Sequence, residues 1–256
     1  MPLGSLASPS TPGIASRKGI AWGTSPPSED SSVLVLTTPG RHYVDVRFAL
    51  SGPATEGVFW AFAGTVKYTA QVSPSSTSAP GSASSASGSE SESGLSPGWS
   101  RAMVGEWSHP IDSMGNYDGI DRADIFNLDN GDQVEFGTLE NPDTGKVELF
   151  KEYWSRPDNA DELYPCVYAR IEGEGETKGM VIRVGNLAQG IVQSQGKVRV
   201  VRWRKSAGAG EGWEEDARSD EGAAGRIPIA WICEGERRVG ERTQSDEISW
   251  VVDEVA

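Results

Sequence analysis

The stretch Tyr43-Val44-Asp45-Val46-Arg47-Phe48-Ala49-Leu50 decides the fold class. Tyr43, Asp45, Arg47 and Ala49 fall on one face, and Val44, Val46, Phe48 and Leu50 on the other. That is the two-residue period of a half-buried β-strand. Just before it, residues 33–37 form a short β-branched run closed by Pro39-Gly40. Just after it, residues 57–69 form a dense apolar segment rich in aromatics, read as a strand or two with Gly64 at a kink.

The same rhythm continues outward. Strand signals recur at 101–107, 133–138 and 146–154, then at 166–171, 179–185, 190–195, 198–205, 227–234 and 247–255. Turn signals separate them, among them Asp129-Asn130-Gly131-Asp132, the Gly-rich 172–178 and Gln195-Gly196. A helical period shows only near 122–128, and 208–225 reads as an acidic loop. Many short strands with turns at this spacing predict an all-β sandwich or barrel. We divide the chain into a disordered leader (1–12), an N-terminal β domain (13–155) and a C-terminal β domain (156–256). Residues 73–98, almost wholly Ser, Ala, Gly and Pro, read as a flexible insertion in the first domain.

Composition narrows the class. The chain has 256 residues, a hydrophobic fraction of 37% and nine tryptophans, enough apolar surface for a real core. A net charge of −14 argues against a nucleic-acid partner, which needs clustered cations to displace phosphate counterions. The one basic stretch, Lys197, Arg199, Arg202, Arg204 and Lys205 around Trp203, reads as the solvent face of a strand. Cys166 and Cys233 lie outside any CxxC spacing, so no disulfide framework is indicated. Residues 1–19 lack the apolar core of a signal peptide, and no run is long enough for a membrane span. These features predict a reducing compartment, cytoplasmic or nuclear, and no membrane partner.

A search for chemistry yields little. His42 and His109 have no second His or Cys at metal spacing and read as exposed structural residues. No G-x-S-x-G elbow is present. The acidic segment 118–132 lacks the register of a calcium loop. Gly173, Gly175 and Gly179 alternate with Glu172, Glu174 and Glu176, which would repel a phosphate. The reading assigns no catalytic residue, no metal and no cofactor. An enzyme would require a perturbed carboxyl beside a second carboxylate, or His109 set against Asp112.

Four segments in order resemble the fungal Hri family, proteins named for interacting with a casein kinase I. They are Phe59-Trp60-Ala61-Phe62-Ala63-Gly64-Thr65, LFKEYW ending at Trp154, GMVIRVGNLAQGIVQSQ from Gly179, and Ile248-Ser249-Trp250-Val251-Val252. The Ser-rich insertion departs from the common pattern. The resemblance implies two tandem antiparallel calycin-like (lipocalin-type) β-barrels, a cytoplasmic and nuclear location, and no established enzymatic activity. Within these segments Phe59, Trp60, Phe62, Gly64, Trp154, Gly179, Gly185, Gln189, Gly190 and Trp250 read as fold-defining.

The expected function is accordingly a non-enzymatic intracellular adaptor, with a casein kinase I as the partner the resemblance suggests. Ser93 and Ser32 are candidate phosphorylation sites, each with a glutamate three residues before it, Glu90 and Glu29. The alternative is a barrel that holds a small apolar ligand, lined by tryptophans and Phe62. An exposed strand edge also predicts a homodimer.

Overall fold

The computed structural model describes residues 11–50, 57–70, 99–141, 143–157, 163–173, 175–206 and 212–256. Nearly all of the leader, and the insertion with Ser93, fall outside the described residues.

Eight antiparallel strands close into a barrel in chain order. They are β1 (Gly13–Trp22), β2 (Ser31–Thr37), β3 (His42–Ala49), β4 (Val58–Ala70), β5 (Trp99–Asp112), β6 (Ile120–Leu128), β7 (Gln133–Asn141) and β8 (Lys146–Ser155). Closure sets β8 against β1, with Arg17 opposite Trp154 and Ile20 opposite Glu152. A second unit is a seven-stranded antiparallel sheet curled into a half-barrel. Its strands are β9 (Cys166–Ile171), β10 (Lys178–Val184), β11 (Leu187–Ser194), β12 (Lys197–Lys205), β13 (Trp213–Arg218), β14 (Arg242–Ser245) and β15 (Ile248–Val255), in the order β13-β12-β11-β10-β9-β15-β14. The expected all-β architecture of two tandem barrel-like units is met, the second as an open half-barrel.

Some local expectations are corrected. Residues 122–128 belong to strand β6, not a helix. The acidic stretch 208–225 contains β13. The apolar run 227–234, expected as a strand, follows helix α1 (Glu221–Arg226) and forms helix α2 (Ile229–Cys233). Its residues Ile227, Ile229, Ile232 and Cys233 cover one face of the second sheet, packing on Val181, Ala188, Val192 and Trp250. A short apolar run satisfies a buried helix as well as a buried strand, and here the face to be covered decides.

The opposite face of that sheet packs on the outer wall of the barrel. Tyr168, Ile182, Leu187, Ile191 and Val200 meet Leu34, Leu36, Val44, Val46 and Ala61 in one apolar cluster. Both faces of β10 and β11 are therefore buried, which is why GMVIRV and GIVQ are almost continuously apolar. Polar side chains fasten the two units. Gln189, fully buried, donates from Nε2 to the carbonyls of Leu34 (2.8 Å) and Val44 (2.6 Å). Arg202 donates to the carbonyl of Val46 at 2.7 Å and to the Ser32 hydroxyl at 3.1 Å, and lies over the Phe48 ring. Burial brings its guanidinium down to about 10. This corrects its reading as a solvent-facing base. Near the C-terminus, Glu254 accepts from the Thr38 hydroxyl (2.6 Å) and the Gly40 amide (2.7 Å).

The family-motif glycines serve close approach and turns. A Cβ on Gly64 would lie 1.9 Å from the Ser108 carbonyl oxygen, at the register shift between β4 and β5. Gly185 has φ +57 in the β10–β11 turn. Gly179 lies against Trp250, and Gly190 against Ile227. Cys166 and Cys233 are buried, free thiols; burial pushes that of Cys166 up to about 12.

Candidate functional site: the barrel interior

The alternation that identifies β3 also creates the site. Val44 and Val46 face the second unit, so Tyr43, Asp45 and Arg47 face the barrel interior; all are at least nine-tenths buried. The expectation that this strand is only half-buried is corrected, because both of its faces are covered. Cross-strand partners share a face, so the register carries the interior around the barrel. Asp45 stands opposite Val35 and Phe62, Arg47 opposite Val33 and Trp60, and Trp107 opposite Asp121. On the other side Gln133 stands opposite Trp154, and Glu135 opposite Glu152.

Charged groups fill the middle of this interior. Arg17 donates to Glu29 (2.8 and 2.9 Å), to Ser31 (2.9 Å) and to Glu152. Arg47 reaches Asp45 at 3.0 Å and Glu152 at 3.3 Å, and covers the Trp60 ring at 4.7 Å. Burial alone would lower the arginines' affinity for protons, yet their carboxylate partners raise it above the ordinary value. Breaking such a pair strands a buried charge, a costly outcome.

Glu135 is different. It has no hydrogen bond or ion pair among the described residues. Burial first, and then the neighbouring Glu152, hold its carboxyl well above the usual range. Glu152 is committed to two arginines, so Glu135 is the member of the pair that keeps its proton.

His109 is fully buried, which corrects its reading as an exposed residue. Its Nδ1 lies 2.9 Å from Asp112 and its Nε2 3.4 Å from Asp121. Burial opposes the imidazolium, but the two aspartates outweigh it and lift the pKa to about 9. Asp112 is fixed by the Met114 amide (2.6 Å) and by Trp60 Nε1 (3.2 Å).

At one end of the barrel wall lies a cavity of about 250 Å³ lined by Lys18, Gly19, Pro27, Leu128, Asp132, Gln133, Tyr153 and Trp154, of which the cross-strand partners Gly19 and Tyr153 belong to the face opposite Trp154. Gln133 and Trp154 belong to the interior face, and the next layer inward on the same two strands is Glu135 and Glu152. Among the described residues the buried Trp154 indole N–H has no hydrogen-bond partner, nor does the Tyr43 hydroxyl deeper inside.

The structure thus brings Trp60, Phe62 and Trp154 together around the interior. It separates the other sequence-predicted residues. Phe59 points outward and is 38% exposed. Gly179, Gly190 and Trp250 lie on the helix-covered side of the second sheet, and Gln189 lies between the units. Ser32 sits on β2 with its hydroxyl on Arg202. Arg17, Asp121, Glu135 and Glu152 were missed as site residues; each is a single charge on its inward face with no charged residue two positions away, so no local pattern marks it.

Comparison with known proteins bears on this geometry. The Protein HRI1 family matches residues 13–254. The chain belongs to the Protein HRI1 family. One solved structure, the crystal structure of an uncharacterized protein (YLR301w) from Saccharomyces cerevisiae, shares the fold at a TM-score of 0.70. The two are 17% identical over 96% of this chain and 99% of the other. No curated protein matches. The function of the HRI1 family is uncharacterised, and the barrel fold alone does not select one.

Proposed function

We propose that this HRI1-family chain is a non-enzymatic binding protein whose barrel end holds a small ligand. The observation that carries this is the 250 Å³ cavity, lined by Leu128, Tyr153 and Trp154 with Lys18, Asp132 and Gln133, beside a buried Trp154 indole N–H that has no partner among the described residues. Cavities of this kind, largely apolar with a few convergent polar groups, are the usual form of a ligand site. The ligand expected from sequence was purely apolar; Lys18 and Asp132 in the lining favour a polar head as well.

Two arrangements that would support catalysis are present, and each lacks a necessary part. A general base must be free of its proton near neutral pH. His109, lifted to about 9 and held between Asp112 and Asp121, is protonated there. Glu135 beside Glu152 resembles an acid with a companion carboxylate, but Glu152 is occupied by Arg17 and Arg47 and offers no free nucleophile.

Saturation-transfer NMR with a library of small aromatic fragments tests the reading. Fragments that contact the intact protein and lose contact in Trp154→Leu support it. Contacts unchanged in that variant refute it.

A second reading, a protein partner, draws on the open sheet, whose outer strands β13 and β14 present edges that the closed barrel lacks. We also propose a casein kinase I as that partner, a homodimer, and cytoplasmic and nuclear residence. Affinity capture and light scattering on the full chain test the first two.

A further inference from the structure

We infer that the barrel-end cavity selects a small zwitterion, a free α-amino acid with an apolar side chain, whose carboxylate meets Lys18 and whose ammonium meets Asp132. The inference rests on the cavity being a ligand site and adds the class of ligand.

The lining carries two charges of opposite sign. Among the described residues Lys18 and Asp132 are the only charged side chains that line it. Lys18 is exposed, with neither an ion pair nor a hydrogen bond among those residues. Asp132 accepts from the Asn130 side-chain amide at 2.8 Å through Oδ2, and its Oδ1 has no such partner there. Arg17, which stands opposite Trp154, is turned inward and held by Glu29 and Glu152, so a ligand here does not draw on it. A pure anion satisfies Lys18 and is repelled by Asp132; a pure cation meets the reverse. A molecule with both charges close together satisfies both residues.

The backbone sets these two residues on either side of one strand. Lys18 is the extra residue at the register shift between Arg17 and Gly19 in β1, and such a bulge re-aims a side chain. Asp132 immediately precedes β7. Between them runs β8, where Trp154 stands opposite both Arg17 and Gln133. Neighbouring strands lie about 4.8 Å apart, so the two backbones are about 10 Å apart across β8. The long side chain of Lys18 and the short one of Asp132 narrow that gap to the polar end of an amino acid.

Both walls are pinned before any ligand arrives. The loop bearing Pro27 is held to β1 by paired bonds between Ile20 and Ser28, at 2.8 and 2.9 Å. The turn from Leu128 to Asp132 is closed by the Leu128 amide on the Asp132 carbonyl at 2.9 Å. Fixed walls reduce the ordering cost of binding. Pro27, Leu128 and Tyr153 supply apolar surface for the ligand's side chain. At about 250 Å³ the cavity falls below the range of about 300–1,000 Å³ usual for drug-sized molecules, so the ligand is small.

Isothermal titration of the full chain at neutral pH with three related molecules tests this. They are L-phenylalanine (zwitterion), 2-phenylethylamine (cation, no carboxylate) and 3-phenylpropanoate (anion, no ammonium). An ion pair at an exposed site strengthens binding by up to about fivefold. Phenylalanine should therefore bind about three- to fivefold tighter than either analogue. Lys18→Met should erase its advantage over the amine, and Asp132→Asn its advantage over the acid, with the circular dichroism of the wild type retained. Should Asp132→Asn fail to fold, Lys18→Met decides, because that side chain is exposed. Equal or tighter binding of either analogue by the wild type, or an advantage over the amine that survives Lys18→Met, overturns the zwitterion inference and leaves the ligand site standing. Absence of phenylalanine binding overturns the inference as well, and joined to fragment contacts unchanged in Trp154→Leu it overturns the ligand site too.

Discussion

Replacing Gln189 with methionine should cost the protein about 3 kcal/mol. The substitution keeps the length and nearly the volume of the side chain, so no large cavity opens. What it removes is a donor that serves two carbonyls of the barrel wall, Leu34 at 2.8 Å and Val44 at 2.6 Å, in a fully buried site. Each neutral hydrogen bond contributes about 1 kcal/mol net, and leaving a buried acceptor short of its partner adds about 1 kcal/mol or more. The Arg202 Nε contact at 3.4 Å is lost as well. Equilibrium unfolding in urea, followed by tryptophan fluorescence and circular dichroism together, measures the change and tests two-state behaviour. For a chain of this size a 3 kcal/mol loss lowers Tm by roughly 6–12 °C. A loss under about 1 kcal/mol would refute the reasoning, because the amide would then be only filling space.

Three further outcomes are expected. Gly64→Ala should destabilise by about 3 kcal/mol through overpacking, since its Cβ would meet backbone and not a movable side chain; a Tm within 2 °C of wild type in calorimetry would contradict this. His109 has a raised pKa of about 9, so its stabilisation is complete below the unfolded value near 6.5 and fades as pH rises through 9. Between those limits the wild type should lose about 2–3 kcal/mol more than His109→Gln, and parallel stability curves for the two proteins would sink the assignment. Cys166 and Cys233 should resist iodoacetamide in the native protein at pH 8 and both react in urea, as intact mass before and after unfolding would report.

Much of the architecture is legible from strand periodicity. The alternation at β3 correctly marks a strand and its two faces, though not that both are buried, and Gly64 marks a real irregularity between β4 and β5. Other features are hidden for physical reasons. β1 gives no strand signal because a register shift between Arg17 and Gly19 breaks its alternation. Helix α2 looks like a strand because five buried residues cannot display a helical period. The interior charges are the largest miss. Asp45 and Arg47 occupy the positions that a one-sided sheet turns to water, and only barrel closure converts that face into an interior. His109 depends on Asp121 across the β5–β6 pairing, a contact absent from local sequence. Glu135 becomes notable only once Glu152 is seen opposite it with its charge already engaged. The family segments, by contrast, point mainly to packing: Gln189, Gly179, Gly190 and Trp250 hold the second sheet in place, and of those segments Tyr153 and Trp154 line the cavity.

The most direct test of the central claim is photolabelling with a trifluoromethyl-diazirine benzylamine, followed by peptide mapping. Labels concentrated on Gln133, Tyr153 and Trp154, and suppressed by excess of an aromatic fragment that contacts the protein in the NMR test, are the predicted result. Labels spread over the outer surface and indifferent to that competitor would contradict a ligand site in the barrel.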